Sequence, residues 1–212
     1  MKFEQWPGLL VTGTDTGIGK TWVSALIVEE LRKTGTAAVG LKPVLSGARD
    51  DAERLWEANG GSLDLDVVNP RWYRTPVAPL VASRIEGNPL ELGLMVEQIH
   101  KVRDAHDFTL VEGVGGWEVP MGEDFGFPEF AKELGFPVLV VAANWLGTLN
   151  HTLLTVKAIQ ASGLECVGVV LNHLEAERDV AATTNRMMLE ELCPVAIVGE
   201  VLTDADWIDW VV

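Results

Sequence analysis

A chain of 212 residues, 48% hydrophobic and 22% charged, is long enough to bury one full α/β core and has the composition of an ordinary globular protein. A formal net charge of -15 excludes a general nucleic-acid binder, which needs a basic face. No apolar run reaches bilayer length, Pro7 and Gly8 break "MKFEQWPGLL" as a signal peptide, and Cys166 and Cys193 show neither metal-site spacing nor a disulfide framework, so a soluble, cytoplasmic protein in a reducing setting is expected.

Short apolar runs alternate with longer amphipathic ones along the whole chain. "GLLVTG" reads as a buried strand, followed by a helix over "KTWVSALIVEELRKTG" with Val23, Leu26, Ile27 and Leu31 at helical spacing and Gly35 closing it. "AAVGLKPV" reads as a second strand stopped by Pro43, and "DDAERLWEANGG" as a short helix ending at glycines. Next come a helix over "ELGLMVEQIHKVRDAH", the strand "DFTLVEG", a helix over "PEFAKELG" and the strand "PVLVVAAN". A helix over "LNHTLLTVKAIQASG", the strand "CVGVVLN", a helix over "AATTNRMMLEELC" and the strand "VAIVG" complete the series. Strands apolar on both faces, joined by helices, predict a single three-layer α/β domain over residues 1–212, its mostly parallel sheet flanked by helices on both sides. In such sheets ligands bind at the carboxyl ends of the strands.

The first strand runs into "VTGTDTGIGKT". A common phosphate-binding loop puts four residues between the first glycine and the Gly-Lys pair, and here five separate Gly13 from Gly19. Strand, glycine-rich turn, Gly-Lys-Thr and helix nonetheless occur in order. Backbone N–H groups of the turn and the helix N-terminus make a concave anion site. Lys20 would reach the outer phosphates and Thr21 would offer a hydroxyl to Mg²⁺. A dinucleotide G-x-G-x-x-G fails, because Trp22 occupies the third glycine position. After the second strand, Lys42 is a candidate second cation, with Ser46 four residues on. Asp51 is accounted for locally as a helix N-terminal charge, and beside a phosphate loop it is also a candidate Mg²⁺ ligand. Glu112 ends the strand "DFTLVEG" where a phosphoryl-transfer enzyme carries its metal-organising acid, and Gly113, Gly115 and Gly116 let backbone approach a ligand. Asn150 and Asn172 also follow apolar strands, as helix caps or polar readers of a ligand. The four histidines show no ligand spacing. Of eight tryptophans, Trp117 beside the glycines is the one expected near a site.

Taken together, "GTDTGIGKT", "LKPVLSG", "VEGVGGW", "LGTLNH" and the "LN" before His173 resemble the dethiobiotin synthetase family, which carries a P-loop one residue longer than the common form. The resemblance spans Gly13 to Asn172. It implies an ATP- and Mg²⁺-dependent ring-closing carboxylation of 7,8-diaminononanoate with CO₂, through a carbamate and a carbamic-phosphoric anhydride. It assigns Lys20 to the transferring phosphoryl group, Lys42 to the carbamate and γ-phosphate oxygens, and Ser46 to the substrate. Thr21, Asp51 and Glu112 would surround Mg²⁺. Thr16 and the backbone of Gly17, Ile18, Gly19, Lys20, Thr21 and Trp22 would cradle the phosphates, and Gly113, Val114 and Gly115 would border the ligands. Asn172, with His173 beside it, falls to adenine. Gly147, Thr148, Leu149 and Asn150 would bind the substrate carboxylate across a homodimer. The segment "GEVLTDADWIDWVV" lacks the proline that often follows Gly-Glu in the family, where this region closes over the base.

Other classes fit less well. A cobyrinic acid amide synthase needs a glutaminase domain for which there is no room. A partition-type ATPase carries a second lysine early in the loop, where this chain has Gly13-Thr14-Asp15. A GTPase reads guanine through Asn-Lys-x-Asp, whereas Asn172 precedes His173, Leu174 and Glu175.

Overall fold

At the centre of the sheet, Leu9, Leu10 and Val11 of β1 (Gly8–Gly13) are wholly buried, and they alternate between two separate cores. The computed structural model describes residues 3–177 and 179–211. β1 leads into α1 (Lys20–Lys33), β2 (Ala38–Leu41), β3 (Val44–Ser46) and α2 (Asp50–Ala58). A short α3 (Leu65–Val68), β4 (Arg71–Tyr73), α4 (Pro79–Glu86) and α5 (Leu92–Arg103) follow, then β5 (Phe108–Glu112) and α6 (Phe127–Leu134). The chain finishes with β6 (Val138–Ala143), α7 (Thr148–Ala161), β7 (Cys166–Asn172), α8 (Val180–Leu192), β8 (Ile197–Val201) and β9 (Asp209–Trp210).

Seven strands form one sheet in the order β2-β5-β1-β6-β7-β8-β9, parallel throughout except for the last pair. Period-two alternation sends Leu9, Val11, Leu110, Leu139 and Val141 to one face, where Ile27 of α1 and Leu55 of α2 cover them. Leu10, Val111, Val138 and Val140 point to the other, beneath Ile99 of α5, Phe127 and Phe130 of α6, and Ile159 of α7. Each such aliphatic side chain contributes about 1.5–3 kcal/mol on burial, so both faces need their helical cover. This is the three-layer α/β domain that the apolar runs predict. Among the described residues no helix is long and apolar enough to cross a membrane.

The structure departs from the sequence reading in three places. "AAVGLKPV" is not one strand: β2 stops at Leu41, the Lys42 N–H donates to the Val68 carbonyl (2.8 Å), and after Pro43 the chain leaves the main sheet. There β3 pairs in parallel with β4 to make a separate two-stranded sheet. The stretch between "ANGG" and "ELGL", given no elements from sequence, supplies α3, β4 and α4. The C-terminal β9 returns antiparallel to β8, pinned by Phe3 against the Trp210 ring (5.1 Å between centroids) and by Trp210 Nε1 donating to Glu30 (2.8 Å).

The outer edge of β2 is closed by a side chain. Asn59, wholly buried at the end of α2, accepts from the Gly40 N–H (2.7 Å) and donates to the Gly40 carbonyl (3.0 Å), as a neighbouring strand would. Asn59→Ala leaves both backbone groups buried without partners. We expect it to destabilise the protein by about 2–4 kcal/mol, read as a lower urea midpoint at an unchanged m-value.

Candidate active site

The turn after β1 is shaped by two left-handed glycines, Gly17 (φ 73°) and Gly19 (φ 85°), conformations that L side chains adopt at a cost. Gly19 is also the N-cap of α1 and offers no side-chain cap, so the first helical N–H groups remain free for an anion. A Cβ on Gly19 would overlap the Asn172 amide, whose Nδ2 donates to the Ile18 carbonyl (2.9 Å). Thus the end of β7 grips the loop. Ile18 is turned inward and wholly buried, anchoring it from below.

Around this cradle the charged residues converge. Lys20, 6% exposed, folds its Nζ back onto the Asp15 carbonyl (2.7 Å). Lys42 at the end of β2 is also buried, and its Nζ bonds Glu112 Oε1 and lies 3.0 Å from Asp51 Oδ2. Thr21 Oγ1 donates to the same Glu112 oxygen (2.8 Å). Burial, aided by the neighbouring charge of Lys42, pushes the Lys20 ammonium down to about 8, against the pull of Glu112, Asp51 and Asp15. For Lys42 burial works in the same direction but loses: the charges and hydrogen bonds of Glu112 and Asp51 raise it above the usual lysine range. Burial would raise Asp51, but Lys42 holds it below the usual carboxylate range. Carboxylates at this sheet edge thus raise Lys42 and oppose the lowering of Lys20, inside a protein that is acidic overall.

The sequence-derived residues Thr16, Gly17, Gly19, Lys20, Thr21, Lys42, Ser46, Asp51, Glu112, Val114 and Gly115 line one cavity of about 450 Å³. Gly113 is buried below its rim, with its N–H donating to the Val11 carbonyl (2.8 Å). Trp22, Asn172 and His173 line an adjoining cavity of about 400 Å³. Gly147, Thr148, Leu149 and Asn150 line neither: Gly147 (φ 102°) starts α7, Thr148 is buried against Thr152, Leu149 is partly buried and Asn150 is exposed. Two buried polar atoms in the first cavity have no hydrogen-bond partner among the described residues, Ser46 Oγ and Glu112 Oε2.

Trp117 corrects an expectation. It lines neither cavity and instead packs edge-on against Phe127 (5.5 Å between centroids) in the core, because the turn after Gly116 directs it inward. Trp22 is the tryptophan that lines the cavity adjoining the phosphate loop. Two contributors escape sequence reasoning altogether. Leu45, on the cavity wall, sits in β3, a strand absent from the sequence reading, and the Asp15 carbonyl carries no side-chain signature.

A lengthened glycine loop entering a helix, two buried lysines and a strand-end glutamate at the carboxyl edge of a parallel sheet define a P-loop nucleotide-binding protein. A family model described as an AAA domain matches residues 7–207. The chain is 45% identical over 200 residues to the ATP-dependent dethiobiotin synthetase BioD of Akkermansia muciniphila, covering 94% of each chain. The enzymes of the same name from Methanocaldococcus jannaschii and Bacillus subtilis (strain 168) are 37% and 36% identical, over 94% and 91% of this chain and 95% and 85% of theirs. The chain belongs to the dethiobiotin synthetase family, a family of ATP-dependent ligases. Among solved structures it resembles the signal recognition particle receptor FtsY of Elizabethkingia anophelis (TM-score 0.63, 11% identity, 97% of this chain and 60% of that one). It also resembles MinD of Aquifex aeolicus (TM-score 0.57, 14% identity, 93% and 82%). At such identities the likeness extends to the fold alone.

The lysine–carboxylate cluster has a stability signature. Glu112→Ala strips the buried Lys42 of its closest counter-charge and is expected to cost about 3–5 kcal/mol. Adding Lys42→Met should recover a large part of that loss, because the stranded cation is gone. A thermal-unfolding double-mutant cycle reads the coupling.

Proposed function

We propose that the protein catalyses the ATP- and Mg²⁺-dependent closure of 7,8-diaminononanoate and CO₂ to dethiobiotin, releasing ADP and phosphate, in the cytoplasm. One amine of the substrate takes up CO₂ as a carbamate, whose oxygen attacks the γ-phosphorus of ATP. The second amine then attacks the carbonyl of the resulting carbamic-phosphoric anhydride, closing the cyclic urea and expelling phosphate. Such chemistry needs positioned cations more than a nucleophilic side chain. The observation that carries this reading is the convergence of Lys20 and Lys42 in one cavity with the unpartnered Ser46 hydroxyl.

In this reading the α1 N-terminus and the loop from Thr16 to Trp22 hold the phosphates, and Lys20 leaves the Asp15 carbonyl to meet the transferring phosphoryl group. Lys42 neutralises the carbamate and γ-phosphate oxygens, and Ser46 donates to the substrate. Gly113, Val114 and Gly115 border it, while Asn172 and His173 face the adenine. The residues present suit Mg²⁺, a hard cation held by one or two carboxylates with the nucleotide's own oxygens. Glu112 keeps one oxygen unpartnered, and Thr21 and Asp51 stand beside it. These three would hold the ion, which supplies charge neutralisation at the phosphates.

The substrate carboxylate is assigned to Gly147–Asn150 of a second copy in a homodimer. Two features support this. The N-terminus of α7 has no side-chain cap, and Trp145, Leu146 and Leu154 present apolar surface around it.

The deciding experiment mixes protein, diamine, bicarbonate, Mg²⁺ and ATP and follows phosphate. Release that depends on the diamine, and that EDTA abolishes until Mg²⁺ is restored, is expected; release without diamine would sink the proposal in favour of a switch ATPase. Lys42→Ala should lower dethiobiotin formation by at least a thousandfold while nucleotide affinity changes little, as expected for a group acting mainly in the transition state (roughly 4 kcal/mol). A near-normal kcat in that variant would show the assigned role to be wrong.

A further inference from the structure

The phosphate cavity and its neighbour share one residue, Gly19, so a nucleotide seated on the loop has its base directed into the second cavity. This step rests on the nucleotide-binding reading above, though not on the identity of the acceptor. The second cavity is walled by Trp22, Leu174 and Leu202, each 39% exposed, with Asn172 at its floor, a combination of flat apolar surface and one amide that suits an aromatic heterocycle. One wall is the loop after β8, and that loop is not held by regular structure. Its hydrogen bonds are few and specific. Thr203 Oγ1 donates to the His173 carbonyl (2.9 Å), and the Ala205 N–H closes a turn onto Leu202 (3.0 Å). The indole Nε1 of Trp22 donates to the Ala205 carbonyl (3.0 Å), a contact spanning 183 positions of sequence.

Between these tethers Asp204 sits at φ 60°, the single non-glycine residue with positive φ among the described residues. A left-handed aspartate persists where its surroundings hold it there, and such residues cluster at ligand clamps. Trp22 is itself immobilised. The Arg54 guanidinium stacks over its ring (5.3 Å to the centroid) and is fixed in turn by Glu29 (2.7 Å). Trp22 follows Lys20 and Thr21 directly in the first turn of α1, so it is rigidly joined to the phosphate loop.

We propose that Trp22 is a positioning residue for the nucleotide base: its indole N–H latches the loop of residues 202–205 against the phosphate-binding helix and holds that wall of the base cavity in place. Without the latch the phosphates are bound as before and the base is held more weakly. Losing one net hydrogen bond to an ordered loop corresponds to a roughly two- to tenfold effect.

Trp22→Phe keeps an aromatic ring under Arg54 and removes the indole donor together with part of the indole surface, whereas Thr203→Val leaves that surface untouched. The first variant should bind ATP about fivefold more weakly by calorimetry, raise the KM for ATP by a similar factor and leave kcat within twofold, while inorganic tripolyphosphate, which has no base, binds as tightly as to the unaltered protein. Thr203→Val cuts the other tether and should show the same split. It keeps the test open if the first variant folds poorly. Equal ATP affinity in both folded variants would overturn the latch, as would parallel weakening of ATP and tripolyphosphate, which would mark damage to the phosphate loop itself. Should the unaltered protein bind neither ligand, the nucleotide-binding reading falls and the latch with it. Binding of both without diamine-dependent turnover would sink only the proposed acceptor and leave the latch supported or refuted by the ratio of the two affinities.

Discussion

The contact on which the site depends is the burial of a lysine ammonium among carboxylates. Lys42 leaves β2 where the sheet ends, and it reaches Glu112 at the end of β5 and Asp51 on α2. An isolated buried cation would lose its proton or drag water inward, and two counter-charges make the charged form the stable one. The same oxygen of Glu112 also accepts from Thr21, so one carboxylate ties β5 to both lysine-bearing segments. Buried ion pairs contribute little net stability compared with apolar packing. Their retention here at the carboxyl edge of the sheet is consistent with a chemical role.

The phosphate loop is organised by a second, quieter set of contacts. Backbone geometry at Gly17 and Gly19 opens the N–H groups, Ile18 plugs the loop into the core, and Asn172 holds the Ile18 carbonyl from β7. The extra residue between Gly13 and the Gly-Lys pair sits in an exposed stretch, Asp15 to Gly17, where a longer turn disturbs no packing. There the Asp15 carbonyl gives Lys20 a resting partner.

Much of this was legible in the sequence because it is local or periodic. Apolar runs on both faces revealed a covered parallel sheet, and the rule that ligands bind at strand ends located Lys20, Lys42 and Glu112 without any knowledge of their mutual distance. What could not be read is what joins residues far apart in the chain. Lys42 and Glu112 are 70 positions apart, and nothing in either neighbourhood encodes that they meet. Pro43 reads correctly as the end of pairing with β5, yet gives no hint that the next residues start a second sheet with β4. Trp117 and Trp22 illustrate the limit for aromatics. Both adjoin glycine-rich turns, and only the tertiary packing decides which ring enters the core and which faces a cavity.

The closure of the β2 edge by Asn59 has a counterpart at the far side, where the two-residue β9 pairs alongside β8 as the edge strand. Neither margin of the sheet therefore presents a long row of unpaired backbone groups on which another molecule could build. Self-association by strand addition is disfavoured at both margins, because one is capped by a side chain and the other is only two residues long. Encounters between copies are left to helix faces and loops, where side-chain shape and the repulsion of a strongly acidic surface discriminate among contacts. Two asparagine hydrogen bonds and a two-residue strand thus restrict how this enzyme can meet another copy of itself.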